Sequence, residues 1–391
     1  MVPLPSRVRI RPLFANLLLM LGITLALLLV IEVVLNRTHV FGARRAYVRP
    51  DPFLRYRFQP NAPYWFHQEN DHAISGHINS AGWRDRERTT LPDDNVYRIA
   101  TLGDSYVEAL QVEADSTFLL LSEDHLNRVA ARNREEMRFE FLNFGRSGFT
   151  QSEEWLVLLQ DIPNFRPNLV ALFFYPGNDI RDIHPDTATE PHRPYFTVTS
   201  NDELILDTRF RDTRQYRLRT WLNPVQRHSA LLSLVIARSV TARQAKRIQA
   251  ALHRESATVD HIAGHRSLAT QNPLPQFLQN YTINKRLITR MAEFCRQQNM
   301  DFLVVCMQDV YKPDGIAKLR AIDPSYDPHY FENDLQELAV SLQVHFLGLQ
   351  SRFETAARDS QHPLRWVHWN YAGHRIVARS FMDTVQSISG R

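Results

Sequence analysis

From position 97 onward the hydrophobic positions fall into short unbroken runs, separated by stretches in which apolar residues recur every third or fourth place. The short runs are YRIATLG (97–103), FEFLNFG (139–145), LVALFFY (169–175), DFLVVCM (301–307) and VHFLGL (344–349). Each is six or seven residues of β-prone character, too short and too uniformly apolar for an amphipathic surface helix, and reads as a strand. The intervening stretches carry helical spacing. In 117–131, Phe118, Leu119, Leu121 and Leu126 share a face, and in 152–161 so do Trp155, Leu158 and Leu159. Further helices are expected over 283–298, 331–342 and 371–387. Apolar strands alternating with helices predict an α/β fold whose parallel sheet is covered on both faces. Five such strands suggest a doubly wound, flavodoxin-like order.

The longest apolar run lies elsewhere. Positions 13–35 read LFANLLLMLGITLALLLVIEVVL, long enough to cross roughly 30 Å of hydrocarbon as a helix. Asn16 and Glu32 are its only strongly polar members, and each sits near an end. Arg7, Arg9 and Arg11 precede it without an acid, which favours a cytoplasmic 1–12 segment, although Arg37, Arg44, Arg45 and Arg49 follow. No small-residue cleavage pattern and no lipidation cysteine follow the run, so an uncleaved single-pass anchor is expected rather than a signal peptide. The rest of the chain then lies on one side, extracytoplasmic (periplasmic), with a cytoplasmic location as the lesser alternative.

Positions 36–95 are polar and turn-rich, with Pro50, Pro60, Pro63 and Pro92, and are expected to be a stalk and an N-terminal extension that packs on the main domain. Positions 96–391 form the main domain, with an insertion at about 185–280 that interrupts the strand–helix alternation. Within it, 207–254 carries 11 Arg and Lys against two acids, Asp207 and Asp212, around an apolar helical stripe at 229–240. This insertion is expected to be helical, with a basic face that is either solvated or turned to anionic headgroups or an acidic polymer.

Of the 391 residues 44% are apolar, enough for a sizeable core, and the net charge of +4 (46 basic, 42 acidic) is no nucleic-acid footprint. The two cysteines, Cys295 and Cys306, fall in a helical and a strand run and read as buried thiols, though an extracytoplasmic location would permit one disulfide. No cluster has metal-ligand spacing, so neither metal nor cofactor is expected. Oligomeric state is not legible.

In a parallel sheet, chemistry gathers beyond the carboxyl ends of the strands. Three such ends carry polar turns: GDS (103–105), NFGRSGFT (143–150) and YPGND (175–179). A fourth cluster, HWNYAGH (368–374), precedes the last helix. Ser105 alone could merely cap a helix. As a nucleophile it needs a base, which His368 could supply. A tetrahedral intermediate needs donors, which the Ser105 N–H, the Gly148 N–H and the Asn178 amide could supply. Asp104 and Asp179 are expected to tie their loops by accepting backbone N–H bonds, and His374 to pack at the start of the last helix.

VYRIATLGDSYVEALQV resembles the first block of the SGNH/GDSL hydrolases, with Ser105 as nucleophile. NFGRSGFT resembles the second, with Gly148 (or Gly145) as oxyanion donor. YPGND resembles the third, with Asn178 as donor and Pro176 where that block often has Gly, and HWNYAGH the last, with His368 as base. NSAGWRDRE (79–87) is similar to a segment that anchored bacterial members carry ahead of the first block. The resemblance implies a cofactor-free serine esterase. Together with an extracytoplasmic anchor it suggests as substrate an ester, above all O-acetyl, of an envelope or extracellular glycan or lipid.

The chain departs from the family at one point: Arg365 and Trp366 stand where the last block usually places an Asp. Either a backbone carbonyl orients His368 in a dyad, or another carboxylate such as Asp309 or Asp359 reaches in, or activity is weak or absent. Two other readings therefore stand beside esterase: an O-acetyltransferase of polysaccharide assembly using the same Ser–His site, and an inactive binding subunit on the same fold.

Overall fold

The computed structural model describes residues 10–38, 47–67, 69, 72–190, 192–199, 203–239, 242, 262–359 and 362–390. Expectations for Arg7, Arg9, Arg44, Arg45, Arg243, Lys246, Arg247 and Arg254 fall outside these. The chain divides into two compact units: Met1–Ala46 with Thr220–Arg243, and Tyr47–Arg219 with Gln244–Arg391.

The larger unit is built on five parallel strands: β5 (Val96–Leu102), β6 (Arg138–Asn143), β7 (Leu169–Phe174), β10 (Asp301–Cys306) and β11 (His345–Gly348), in the order β6-β5-β7-β10-β11. Counted along the chain this is the 2-1-3-4-5 order of a flavodoxin-like, doubly wound sheet. All six residues of β7 are buried, because helices cover both faces of a central parallel strand. The one charge inside β5, Arg98, is fully buried; it pairs with Glu140 at 2.6 Å and donates to the Phe165 carbonyl at 2.7 Å. Burying an unpaired guanidinium would cost several kcal/mol, so that pairing is what allows an Arg inside the strand.

One face is covered by α4 (Gln151–Gln160), α8 (Pro275–Gln297) and α10 (Tyr330–Leu342). The other is covered by α3 (Phe118–Asn133) and α12 (Tyr371–Ile388), with Phe118, Phe173 and Phe381 interlocked at ring separations of 4.8–5.8 Å. Helix α8 begins eight residues earlier than its apolar stripe predicts, at Pro275, a residue suited to a first helical turn. Cys295 and Cys306 are buried free thiols in this core.

Both connecting segments contain short strands. Positions 47–95 pack on the main domain. They form two hairpins, β1 (Val48–Asp51) with β2 (Arg55–Phe58) and β3 (Pro63–Phe66) with β4 (Ile74–His77), whose Leu54, Phe58, Tyr64 and Ile74 join the main core. The insertion is not wholly helical: β8 (Tyr195–Val198) and β9 (Leu204–Asp207) form a hairpin in it, with Phe196 in the core, before α6 (Arg214–Gln226) and α7 (Ala230–Ser239). In both segments the strands are only four residues long, too short for a two-residue alternation to stand out in sequence.

In the smaller unit α1 (Ile10–Thr38) contains a helix, Phe14–Thr38, with mean hydropathy 2.8, long and apolar enough to cross a membrane.

Candidate active site

The site is assembled at the carboxyl end of the sheet. Beyond β5, Ser105 opens the single turn α2 (Ser105–Glu108). The residue that caps this turn is Asp104, whose carboxylate accepts the Tyr106 N–H at 2.8 Å. Capping by Asp104 leaves the Ser105 hydroxyl free for another partner, and it lies 2.7 Å from His368 Nε2. The loop behind α2 is pinned from 79–87: Arg84 donates to the carbonyls of Glu108 at 2.8 Å and Val112 at 2.6 Å.

His368 is held just ahead of α12. Asn370 caps that helix, accepting from Ala372 and Gly373, and the preceding loop closes on itself through Trp366 N–H to the His368 carbonyl (2.9 Å). The edge of Tyr106 packs against the imidazole at 4.9 Å, and its hydroxyl donates to the Val367 carbonyl at 3.3 Å.

The second imidazole nitrogen answers the open question of what orients His368. Nδ1 lies 2.6 Å from Glu69 Oε1, and the His368 N–H donates to Glu69 Oε2 at 2.8 Å. Glu69 lies between β3 and β4, in the extension, and its side chain is 5% exposed. The connection is braced nearby by His72, 3.0 Å from Glu113, which also accepts from Tyr371 at 2.6 Å. Neither carboxylate proposed from sequence reaches the histidine. Asp309 is locked by Arg266 at 2.7 and 2.8 Å and by His265 at 3.3 Å, and Asp359 is exposed at the end of α11 (Gln350–Asp359). Nor is a backbone carbonyl the Nδ1 partner. Arg365, at the family's Asp position, instead stands over the Tyr311 ring at 5.5 Å and interacts with Tyr106 and Tyr175.

The electrostatics follow from this geometry. Burial pushes Glu69 up, but the bond and charge of His368 and two backbone N–H groups outweigh it and hold its pKa below the usual value. Burial likewise opposes the imidazolium, yet Glu69, aided by Asp104 and Glu108, raises the His368 pKa above the ordinary one. An ionised carboxylate can only accept, so Nδ1 carries the hydrogen. The neutral ring then presents the Nε2 lone pair to the Ser105 hydroxyl.

Of the two glycines considered as donors, Gly145 is committed to packing: a Cβ there would lie 2.6 Å from Val107 Cβ and 2.7 Å from the Glu108 nitrogen. Its N–H is already taken by Asn143 Oδ1 at 2.9 Å. Gly148 has a φ of +78°, the left-handed region that favours glycine, with open space where a side chain would be. Among the described residues its N–H has no hydrogen-bond acceptor, while its carbonyl is held by Arg193, which is anchored on Glu153 at 2.7 Å. Asn178 lies in the first turn of α5 (Pro176–Asp182), its amide near enough to Asp104 to favour the charged form of that carboxyl. Burial pushes Asp104 up to about 6, against the Tyr106 N–H, the His368 charge and that amide. Asp179 accepts the Tyr175 N–H at 2.8 Å, and Gln151 bridges it at 2.8 Å to Glu154 at 3.1 Å beneath the site.

His374 is fully buried, 3.2 Å from the Phe118 N–H at the start of α3 and 3.3 Å from Gln111. Burial, then the charges of Arg84 and His368, lowers its pKa to about 3, so the ring is neutral and accepts an N–H that the helix itself cannot satisfy. His374→Ala is expected to cost about 2–4 kcal/mol through a cavity and orphaned donors. That would show as a lower thermal midpoint with the pH dependence of any hydrolysis unchanged.

Sequence reasoning missed Glu69. Its one local signal is the polar HQENDH stretch between two short strand-like runs, which marks a turn but says nothing of where the turn lands.

No family model matches the chain, and no curated protein matches it. Among solved structures the chain is similar to the acetyl xylan esterase AlAXEase, at 13% identity and a TM-score of 0.39, over 74% of this chain and 99% of that one. It is also similar to a catalytic mutant of Axe2, an acetylxylan esterase from Geobacillus stearothermophilus (14%, TM-score 0.38, 74% and 94%). A third similar structure is TesA (11%, TM-score 0.36, 74% and 99%).

Proposed function

We propose that the chain is a serine ester hydrolase in which Glu69, His368 and Ser105 act as a triad. The observation that carries this is the unbroken relay of 2.6 Å from Glu69 to Nδ1 and 2.7 Å from Nε2 to the Ser105 hydroxyl. Ser105 Oγ attacks the ester carbonyl as His368 takes its proton, and Glu69 stabilises the imidazolium that forms. The Ser105 and Gly148 N–H groups and the Asn178 amide receive the oxyanion. His368 returns the proton to the departing alkoxide, and water, activated by the same ring, cleaves the acyl-enzyme. The inactive-subunit reading drew its support from the missing acid at 365–366, and Glu69 removes that support.

The substrate proposed is an O-acyl, above all O-acetyl, ester of an envelope glycan or lipid. This follows from reading α1 as an uncleaved anchor that leaves the larger unit outside the cytoplasmic membrane. A fluorophosphonate probe should label the wild type and not Ser105→Ala, and the wild type should release acetate from an aryl acetate. Absence of both would overturn the proposal. Added glycan that consumes acetyl groups without acetate release would identify transfer rather than hydrolysis.

Asn178→Ala is expected to lower kcat by about 10²–10³, some 3–4 kcal/mol, with KM little changed, because the amide acts on charge that develops after binding. Steady-state kinetics on the aryl acetate would read this split.

A further inference from the structure

The smaller unit exposes apolar surface that a water-facing helix does not need. Helix α7 reads ALLSLVIARS, with apolar residues on every side of its first two turns. Such a helix belongs in a core or in lipid. On one side of it, Leu35 of α1 packs with Ala230, Leu231 and Leu234. Val235, on another side, is 57% exposed. In the part of α6 that belongs to this unit, Trp221 and Val225 stand four residues apart on one face, and Trp221 is 75% exposed.

A specific bond set fixes where α7 meets α1. Glu32, inside the apolar stretch, accepts the Ala230 N–H at 2.7 Å, the Ser229 hydroxyl at 2.8 Å and the Leu231 N–H at 3.1 Å. A carboxylate in a membrane span is expensive unless bonded, and the first-turn N–H groups of a helix need an acceptor. Each therefore satisfies the other. Glu32 lies about 9 Å along the helix from the Thr38 end of α1, at 1.5 Å per residue. That matches the ~5–10 Å depth at which interfacial helices bury their apolar face.

We propose that α6 and α7 form an interfacial element whose occupant is the bilayer itself. In this arrangement α7 lies against α1 at the headgroup–acyl boundary, Val235 enters the acyl region, and Trp221 sits at headgroup level. Anionic lipid headgroups meet exposed basic residues of the same segment, Arg227 after α6 and Arg238 near the end of α7. The inference rests on the reading of α1 as a membrane span.

The test uses the full chain in nanodiscs of phosphatidylcholine, with and without phosphatidylglycerol. An environment-sensitive fluorophore is placed by Trp221→Cys, Val235→Cys, Leu21→Cys (mid-α1) and Arg128→Cys (a polar site on α3); the buried native thiols stay unlabelled. Expected are blue-shifted emission and quenching by headgroup-proximal spin-labelled lipid at 221 and 235, larger with phosphatidylglycerol, deep quenching at 21, and neither at 128. Labels at 221 and 235 that behave like 128 while 21 is deep would overturn this inference and spare the anchor. A label at 21 that reports water would overturn both. Blue shifts at 221 and 235 without lipid quenching would show protein, a second copy included, as the cover instead.

Discussion

Ser105→Ala lowers kcat for ester hydrolysis by about 10⁵–10⁶, leaving only what the oxyanion donors and binding supply. Alanine removes a hydroxyl that caps nothing: Asp104 holds the start of α2, and the Ser105 side chain's hydrogen bond runs to His368. The variant should therefore fold, keep its thermal midpoint within a few degrees, and lose labelling by a fluorophosphonate. Loss of activity accompanied by unfolding would assign Ser105 a structural role.

Glu69→Gln is the second large effect, a fall in kcat/KM of about 10³–10⁴. An amide at 69 can donate to Nδ1 and so select the tautomer that points a hydrogen, rather than a lone pair, at Ser105. It also removes the charge that steadies the imidazolium. The pH dependence follows with a definite sign. Catalysis needs neutral His368, and its raised pKa places the acid limb of the wild-type kcat/KM profile above the ordinary histidine value, with activity rising as pH rises through it. Burial opposes the imidazolium, so removing the carboxylate lets the His368 pKa fall and moves the residual activity's acid limb to lower pH. A pH–rate profile of wild type and variant reads both the loss and the direction. An unmoved limb would detach Glu69 from the histidine.

The parts of this site that could be read from sequence are those where one residue's surroundings suffice. Strand β7 announces itself because both its faces are buried, and Ser105, Gly148 and Asn178 each follow a largely apolar strand. His368 stands out through the polar cluster before α12. Glu69 was invisible for the opposite reason: 299 residues separate it from its partner, and the link is made by tertiary packing of a hairpin that has no long apolar run. Arg365 stood where the acid was sought, and its aromatic neighbours Tyr106, Tyr175 and Tyr311 come from three different segments. The unforeseen helix α9 (Pro313–Ile322) has no buried residue, and α11 buries Phe353 as its one large apolar side chain, so neither shows an apolar stripe. The short strands β8 and β9 were lost inside a segment whose charge drew attention to its helices.

The relay itself is tested most directly by a double-mutant cycle on kcat/KM with wild type, Glu69→Gln, His368→Ala and the double variant. If the carboxylate works through the imidazole, the double variant matches His368→Ala within a small factor, because Glu69 has nothing left to orient. If instead the two losses multiply, Glu69 acts elsewhere and the three residues are not one catalytic unit.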